Sequence, residues 1–97
     1  MIKPRKIPLE KIKQAVSKTL KVSVEDIESR SRFKMPVMAR QLSMYYALRG
    51  RTLVKVGEHF NRHHANIHYA DEKINFLKET DWEVKQWAEQ IEEELCQ

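Results

Sequence analysis

Four histidines lie within thirteen residues, in the segment EHFNRHHANIHYA at 58–70, and the rest of the chain has none. Histidine side chains bind metal ions, move protons or contact phosphates and bases. His64 and His68 are four residues apart and would share one helix face, as two zinc ligands do, but zinc needs a third ligand. No cysteine is near, and Asp71 and Glu72 would point to different faces. We therefore expect no metal site, and a metal-sensing regulator is the third alternative that the histidines leave open.

The remaining polar residues do not form a recognisable catalytic arrangement. Ser29, Ser31 and Ser43 lack the Gly-x-Ser-x-Gly setting of a nucleophile elbow. The chain has two glycines and no glycine-rich phosphate loop followed by Lys-Ser or Lys-Thr. We predict that the protein is not an enzyme and needs no cofactor.

Charge is distributed unevenly along the chain. The net charge of +4 combines 15 Lys and Arg against 5 Asp and Glu in residues 1–62 with 3 against 9 in residues 63–97. A positive half beside an acidic half is typical of a protein that binds a polyanion. Cys96 is the only cysteine, and no apolar run resembles a signal peptide or could cross a bilayer. A cytoplasmic protein without a membrane partner is expected.

Apolar residues recur at helical spacing through most of the chain, which predicts an all-α fold of five to six helices. We place helices at residues 8–20, after Ser23, at 36–49, after Thr52, at 63–77, and from Thr80 or Asp81 onward. A polar and basic loop, SRSRFKMP at residues 29–36, separates the second helix from the third. This loop and the helices after Thr52 are the elements that position the histidines.

The short helix after Thr52 and the longer helix that follows it make a helix-turn-helix, with Gly57 where the two helices must pass closely. If Ile67, Ala70 and Ile74 take the core, the start of the second helix faces solvent. That end favours phosphate and enters the major groove in helix-turn-helix proteins. The outward residues are Arg62, His63, His64 and Asn66. We expect His59 and His68 to be half-buried packing residues instead.

The segment ARQLSMYYALRGRTLVKVGEHFNRHHANIHYADEKI, residues 39–74, resembles the C-terminal DNA-binding domain of the bacterial replication initiator DnaA. The resemblance extends over about residues 7–77, with basic loop, Arg-Gln helix and helix-turn-helix in the same order. It implies a Trp-repressor-like domain that binds double-stranded DNA in DNA replication initiation or its regulation. No part of the 97 residues resembles the initiator's ATPase domain.

The resemblance also implies roles for individual residues. Arg32 falls on a loop arginine that enters the minor groove, with Arg30 and Lys34 beside it. Arg40 falls on an arginine that contacts the DNA backbone. The segment from Thr52 to Val54 falls on backbone amides that meet phosphate, and Lys55, Arg49 and Arg51 are expected to add phosphate contacts. The major-groove signature falls on Arg62, His63, His64, Ala65 and Asn66.

This sequence departs from the family pattern at the positions expected to read bases. His63 stands where the family has Asp, Ala65 and Asn66 stand where it has two threonines, and one glycine is missing before Arg62. Aspartate only accepts hydrogen bonds, whereas neutral histidine also donates one. We therefore expect sequence-preferring duplex binding with a target that differs from the initiator's own box.

The acidic C-terminal helix supports an alternative function. We assign residues 1–78 to the DNA-binding domain and residues 79–97 to a helix that packs on it or extends it. Trp82 and Trp87 are expected to pack in the core with Val84 and Ile91. If they are exposed, this helix would bind a protein partner or a second copy. The chain would then be a protein-interaction module that keeps the fold without the sequence readout.

Overall fold

A computed structural model describes residues 6–96, and in that range the chain forms six α-helices and no strand. The helices are α1 Leu9–Leu20, α2 Val24–Glu28, α3 Lys34–Ala47, α4 Leu53–Phe60, α5 His64–Thr80 and α6 Trp82–Leu95. The prediction of an all-α fold is therefore confirmed.

The central helix of the core is α3, which packs against α1, α2, α4 and α5. Apolar side chains of α3 and of these four helices meet in the core with less than 2% exposure: Ile12, Val16, Ile27, Leu42, Val56, Ile67 and Ile74. Ala70, at 1% exposure, completes the inward stripe that was predicted for α5. Burial of this stripe fixes which side of α5 faces solvent.

Several helix boundaries differ from the prediction by one to three residues. The basic loop is shorter than expected, because α3 begins at Lys34 and leaves residues 29–33 between α2 and α3. Pro36 is accommodated in the first turn of α3, where a backbone N–H has no intrahelical partner in any case. At the other end, α5 continues past Leu77 to Thr80. Asp81 then caps α6, and its carboxylate accepts from the N–H groups of Glu83 and Val84 at 2.9 and 3.1 Å.

The last helix, α6, packs against α1 and α5. Ile91 and Leu95 join the core, and the Glu92 carboxylate accepts from Tyr46 Oη at 2.7 Å and Lys78 Nζ at 2.9 Å. Burial, with the hydrogen bond to Glu92 added, raises the pKa of Tyr46. These contacts hold α6 to the other helices on the side formed by α1, α3 and α5.

The two tryptophans of α6 have different environments. Trp87 is partly buried against the core, as predicted, but Trp82 is 76% exposed, so the core assignment is wrong for Trp82. Trp82 and Trp87 are five positions apart, which on a helix turns their side chains about 140° from one another, so both cannot face the core. Among residues 6–96, no helix combines the length and the apolar composition that crossing a bilayer requires.

Candidate nucleic-acid interface

The turn between α4 and α5 is built around Gly57. A Cβ atom on this buried glycine would lie 2.6 Å from the carbonyl oxygen of Arg62 and 3.5 Å from the backbone nitrogen of His64. The chain reverses at Asn61, which has a φ of 55°, and the Arg62 N–H then donates to the Gly57 carbonyl at 2.8 Å. Asparagine tolerates this left-handed conformation better than most residues. The close approach predicted at Gly57 is confirmed.

The turn presents the beginning of α5 to solvent. His63 is the N-cap residue, and its Nδ1 accepts from the backbone N–H of Ala65 at 3.1 Å. The side chains of His63, His64 and Asn66 are all exposed. The two imidazole rings stack with their centroids 4.2 Å apart and 29° between planes. Because Nδ1 of His63 acts as an acceptor, its proton is on Nε2, which leaves that N–H free to donate.

His63→Asp is expected to raise the free energy of unfolding by about 0.5–1 kcal/mol, because a carboxylate is a preferred N-cap and also interacts favourably with the helix dipole. His63→Ala, which removes the cap acceptor, should lower it by a similar amount. Urea denaturation measures both. His64→Asp is the matched control, since it adds the same charge at the first helical residue and cannot replace the cap. Equal stability of His63→Ala and the parent chain would contradict the capping role.

The loop at residues 29–33, called the basic loop below, is held by short-range hydrogen bonds. Ser29 Oγ donates to the Asp26 carbonyl at 2.7 Å and accepts from the Ser31 N–H at 3.1 Å. Ser31 Oγ in turn accepts from the Phe33 N–H at 3.2 Å. Arg30 and Arg32 in the loop and Lys34 just after it are exposed. The serines were not singled out as functional by their sequence, although alternating Ser-x-Ser is a pattern typical of such turns.

Two arginines hold the same loop from inside the molecule. Arg40 is 7% exposed, and its guanidinium donates to the carbonyls of Ile27 at 2.9 Å and Ser31 at 3.2 Å. Arg62 donates through Nη2 to the Ser29 carbonyl at 3.0 Å and through Nη1 to the Phe60 carbonyl at 2.9 Å. The basic loop is therefore joined directly to the turn that precedes α5.

This geometry changes what is expected of Arg40 and Arg62. Both were predicted to contact DNA, but their guanidinium groups are directed at backbone carbonyls of their own chain. Burial, and after it the charge of Arg62, lowers the pKa of Arg40, and burial with the charge of Arg30 does the same for Arg62. In the free protein each arginine thus donates to carbonyls of the basic loop or of the residues just before it, and the DNA contacts expected of Arg40 and Arg62 stay predictions.

The start of α4 forms a second exposed helix end. Thr52 is its N-cap and accepts through Oγ1 from the Lys55 N–H at 3.2 Å. The N–H groups of the first turn have no partner within the helix, so they lie at its positive end. The Lys55 side chain is 74% exposed and lies 3.9 Å from Glu58. An exposed pair of this kind leaves the lysine available to a phosphate.

Arg49 and Arg51, which were also expected to contact phosphate, have partners inside the protein. Arg49 pairs with Asp71 and lies 4.2 Å from the centre of the Tyr45 ring. Arg51 Nη2 donates to the Ile7 carbonyl at 2.7 Å. We therefore leave both out of the proposed interface.

The two remaining histidines are exposed, so the prediction that they are half buried is wrong. His59 and His68 each neighbour a fully inward residue, Phe60 and Ile67, and a helix turns adjacent side chains 100° apart. Desolvation by neighbouring groups, and after it the charge of Lys13, lowers the pKa of the exposed His59 side chain. His68 Nε2 lies 3.5 Å from Glu72. Across residues 6–96, no group of three His, Cys, Asp or Glu side chains is placed to hold a metal ion.

Comparison with known protein families agrees with this arrangement. The sequence model described as Bacterial dnaA protein helix-turn-helix matches residues 9–74, from the first residue of α1 to Ile74 in α5. The match covers about two thirds of the chain and includes the basic loop, α4, the turn and the exposed start of α5. The chain therefore belongs to the family of bacterial DnaA helix-turn-helix domains, which bind double-stranded DNA in connection with replication initiation.

Proposed function

We propose that this chain binds duplex DNA with a sequence preference, reading bases in the major groove with the start of α5. The observation that carries the proposal is the bond from Arg62 to the Ser29 carbonyl at 3.0 Å. It joins the cationic basic loop directly to the turn that precedes the exposed polar start of α5. A single double helix presents phosphates and base edges to such a pair at once.

Each exposed residue has a part that its chemistry supports. Asn66 and His64 stand on the exposed face of α5 and would meet base edges, since asparagine pairs with adenine through two hydrogen bonds. His63 would offer its Nε2 proton to an acceptor there. The N–H groups that follow Thr52, together with Lys55, would bind a phosphate. The cations of the basic loop region, Arg30, Arg32 and Lys34, would line the neighbouring backbone and minor groove.

The ionic part of this proposal is tested by measuring affinity for a duplex at several salt concentrations. With about four exposed cations and two helix ends at the interface, log affinity should fall against log salt with a slope of roughly −3 to −5. Lys55→Ala should make the slope shallower by about 1. Lys85→Ala, a change at an exposed lysine of α6, is the control. A flat response with concentration-dependent sedimentation would favour the protein-interaction alternative, which the exposure of Trp82 supports.

The base-reading part is tested by selecting duplexes from a pool with a random core and sequencing the bound fraction. Against the selected duplex, Asn66→Ala should lose about 1–3 kcal/mol while its affinity for unselected DNA stays nearly constant. Gln90→Ala removes an exposed amide from α6 and should change neither affinity. Equal losses of Asn66→Ala on selected and unselected duplexes would remove Asn66 from the base-reading set.

A further inference from the structure

Phe33 is the most exposed of the large hydrophobic side chains in residues 6–96, at 80%. It is the N-cap residue of α3, with φ −66° and ψ 149°, and its side chain makes no capping hydrogen bond. Partly buried Met35 and Met38 pack against the core just after it, whereas the Phe33 ring does not. The ring therefore contributes neither a helix cap nor core packing.

Fold stability alone would favour a different residue at this position. An N-cap with extended backbone is best filled by Ser, Thr, Asp or Asn, whose side chain accepts from the next turn. Three other helices follow that rule, because α2 has Ser23, α4 has Thr52 and α6 has Asp81 as caps with side-chain bonds, whereas the Pro8 cap of α1 makes none. At the start of α3, an exposed ring occupies a cap position where a polar residue would stabilise the fold.

The backbone that carries the ring is fixed, and its surroundings are cationic. The Phe33 N–H donates to Ser31 Oγ, and the Arg40 guanidinium donates to the Ser31 carbonyl two residues earlier. Arg32 and Lys34, on either side of Phe33, are exposed. An apolar ring between two cations suits a ligand that combines phosphates with flat apolar surfaces, as stacked base pairs do.

We propose that Phe33 inserts its ring into the minor groove and wedges between adjacent base pairs, which bends the duplex. This inference rests on the proposed function, because it needs α5 in the major groove. Phe33 is four residues from Ser29, so it lies within roughly 14 Å of the carbonyl that Arg62 holds. A narrow extended loop fits the minor groove, and apolar side chains inserted there unstack base steps and bend DNA by roughly 20° or more.

The test compares Phe33→Ser and Phe33→Trp in the 97-residue chain with the parent chain on a selected duplex of about 30 base pairs that carries a fluorophore at each end. Phe33→Ser should weaken binding by roughly tenfold to 100-fold and reduce the bend seen by energy transfer. Its salt slope should stay unchanged, because no charge is lost. Phe33→Trp, which keeps a flat ring, should retain both affinity and bend. Phe76→Ser, at a ring 66% exposed on α5, is the control and should change neither.

Thermal unfolding of the same variants separates this role from a structural one. Phe33→Ser supplies the missing cap and should raise the Tm by about 2–8 °C. A lower Tm would show that the ring supports the fold, and parental affinity and bend in Phe33→Ser would overturn the wedge while leaving duplex binding intact. Self-association of the free chain that Phe33→Ser abolishes would assign the ring to a second copy instead. A parent chain that binds no duplex would defeat the proposed function itself.

Discussion

Gly57→Ala is expected to lower the free energy of unfolding by about 1–3 kcal/mol, although alanine is the better helix former by about 1 kcal/mol. The added Cβ would lie 2.6 Å from the carbonyl oxygen of Arg62, which is a backbone atom that cannot rotate away. Relief requires the turn between α4 and α5 to open. That opening moves His63 and the start of α5, so DNA affinity should fall at least about tenfold even at temperatures where the variant is folded.

Val84→Ala is a control of comparable destabilisation away from the turn. Val84 is 2% exposed in α6, and removing its two methyl groups should cost about 1–3 kcal/mol through the cavity that is left. Urea denaturation measures the stability of both variants, and fluorescence anisotropy at 15 °C measures their affinity for the selected duplex. Only Gly57→Ala should bind weakly at that temperature. Parental affinity in a stably folded Gly57→Ala chain would show that the turn geometry does not control recognition.

The parts of this structure that depend on apolar periodicity could be predicted from the sequence. Ile67, Ala70 and Ile74 recur at helical spacing, and the structure buries all three. The close approach at Gly57 was predictable for a related reason, since a glycine within the first helix of a helix-turn-helix indicates where the second helix passes. In both cases the prediction requires only the geometry of one helix and its neighbour.

The partners of the charged and aromatic residues were not predictable in the same way. Arginine is a residue type that often contacts DNA, so the sequence suggested that role for Arg40 and Arg62. Only the tertiary fold brings the carbonyls of residues 26–31 within reach of their guanidinium groups. Lys13, at 2% exposure, is paired with Glu28 from α2, fifteen residues away. Trp82 was predicted to be buried because it is large and apolar, but at the first position of α6 it is exposed. Long-range packing decides these cases.

Arg40→Met is expected to lower the free energy of unfolding by about 2–4 kcal/mol, because it removes a charged donor from the Ile27 carbonyl in a buried bond and from the Ser31 carbonyl in a partly buried one. The residue is 7% exposed, and its guanidinium donates to Ile27, Ser31 and, at 3.4 Å, Asp26. Methionine keeps much of the volume without the donors. Arg40→Lys should recover only part of the loss, since one ammonium group cannot span carbonyls that a planar guanidinium reaches together.

The stability, amide exchange and salt slope of Arg40→Met together decide whether Arg40 positions the basic loop or contacts a DNA phosphate directly. If the buried guanidinium positions the basic loop, the variant should lose stability, and the amide protons of Ser31 and Phe33 should exchange faster with solvent. Arg32→Met is the matched control, because this exposed loop arginine should leave stability within about 0.5 kcal/mol and make the salt slope shallower by about 1. If Arg40→Met keeps the parental stability and its salt slope is shallower, Arg40 contacts a DNA phosphate directly. The hydrogen bonds from Arg40 to three carbonyls, at 2.9–3.4 Å, favour the positioning role. A guanidinium that moved from these carbonyls to a phosphate would no longer hold the loop that carries Arg32.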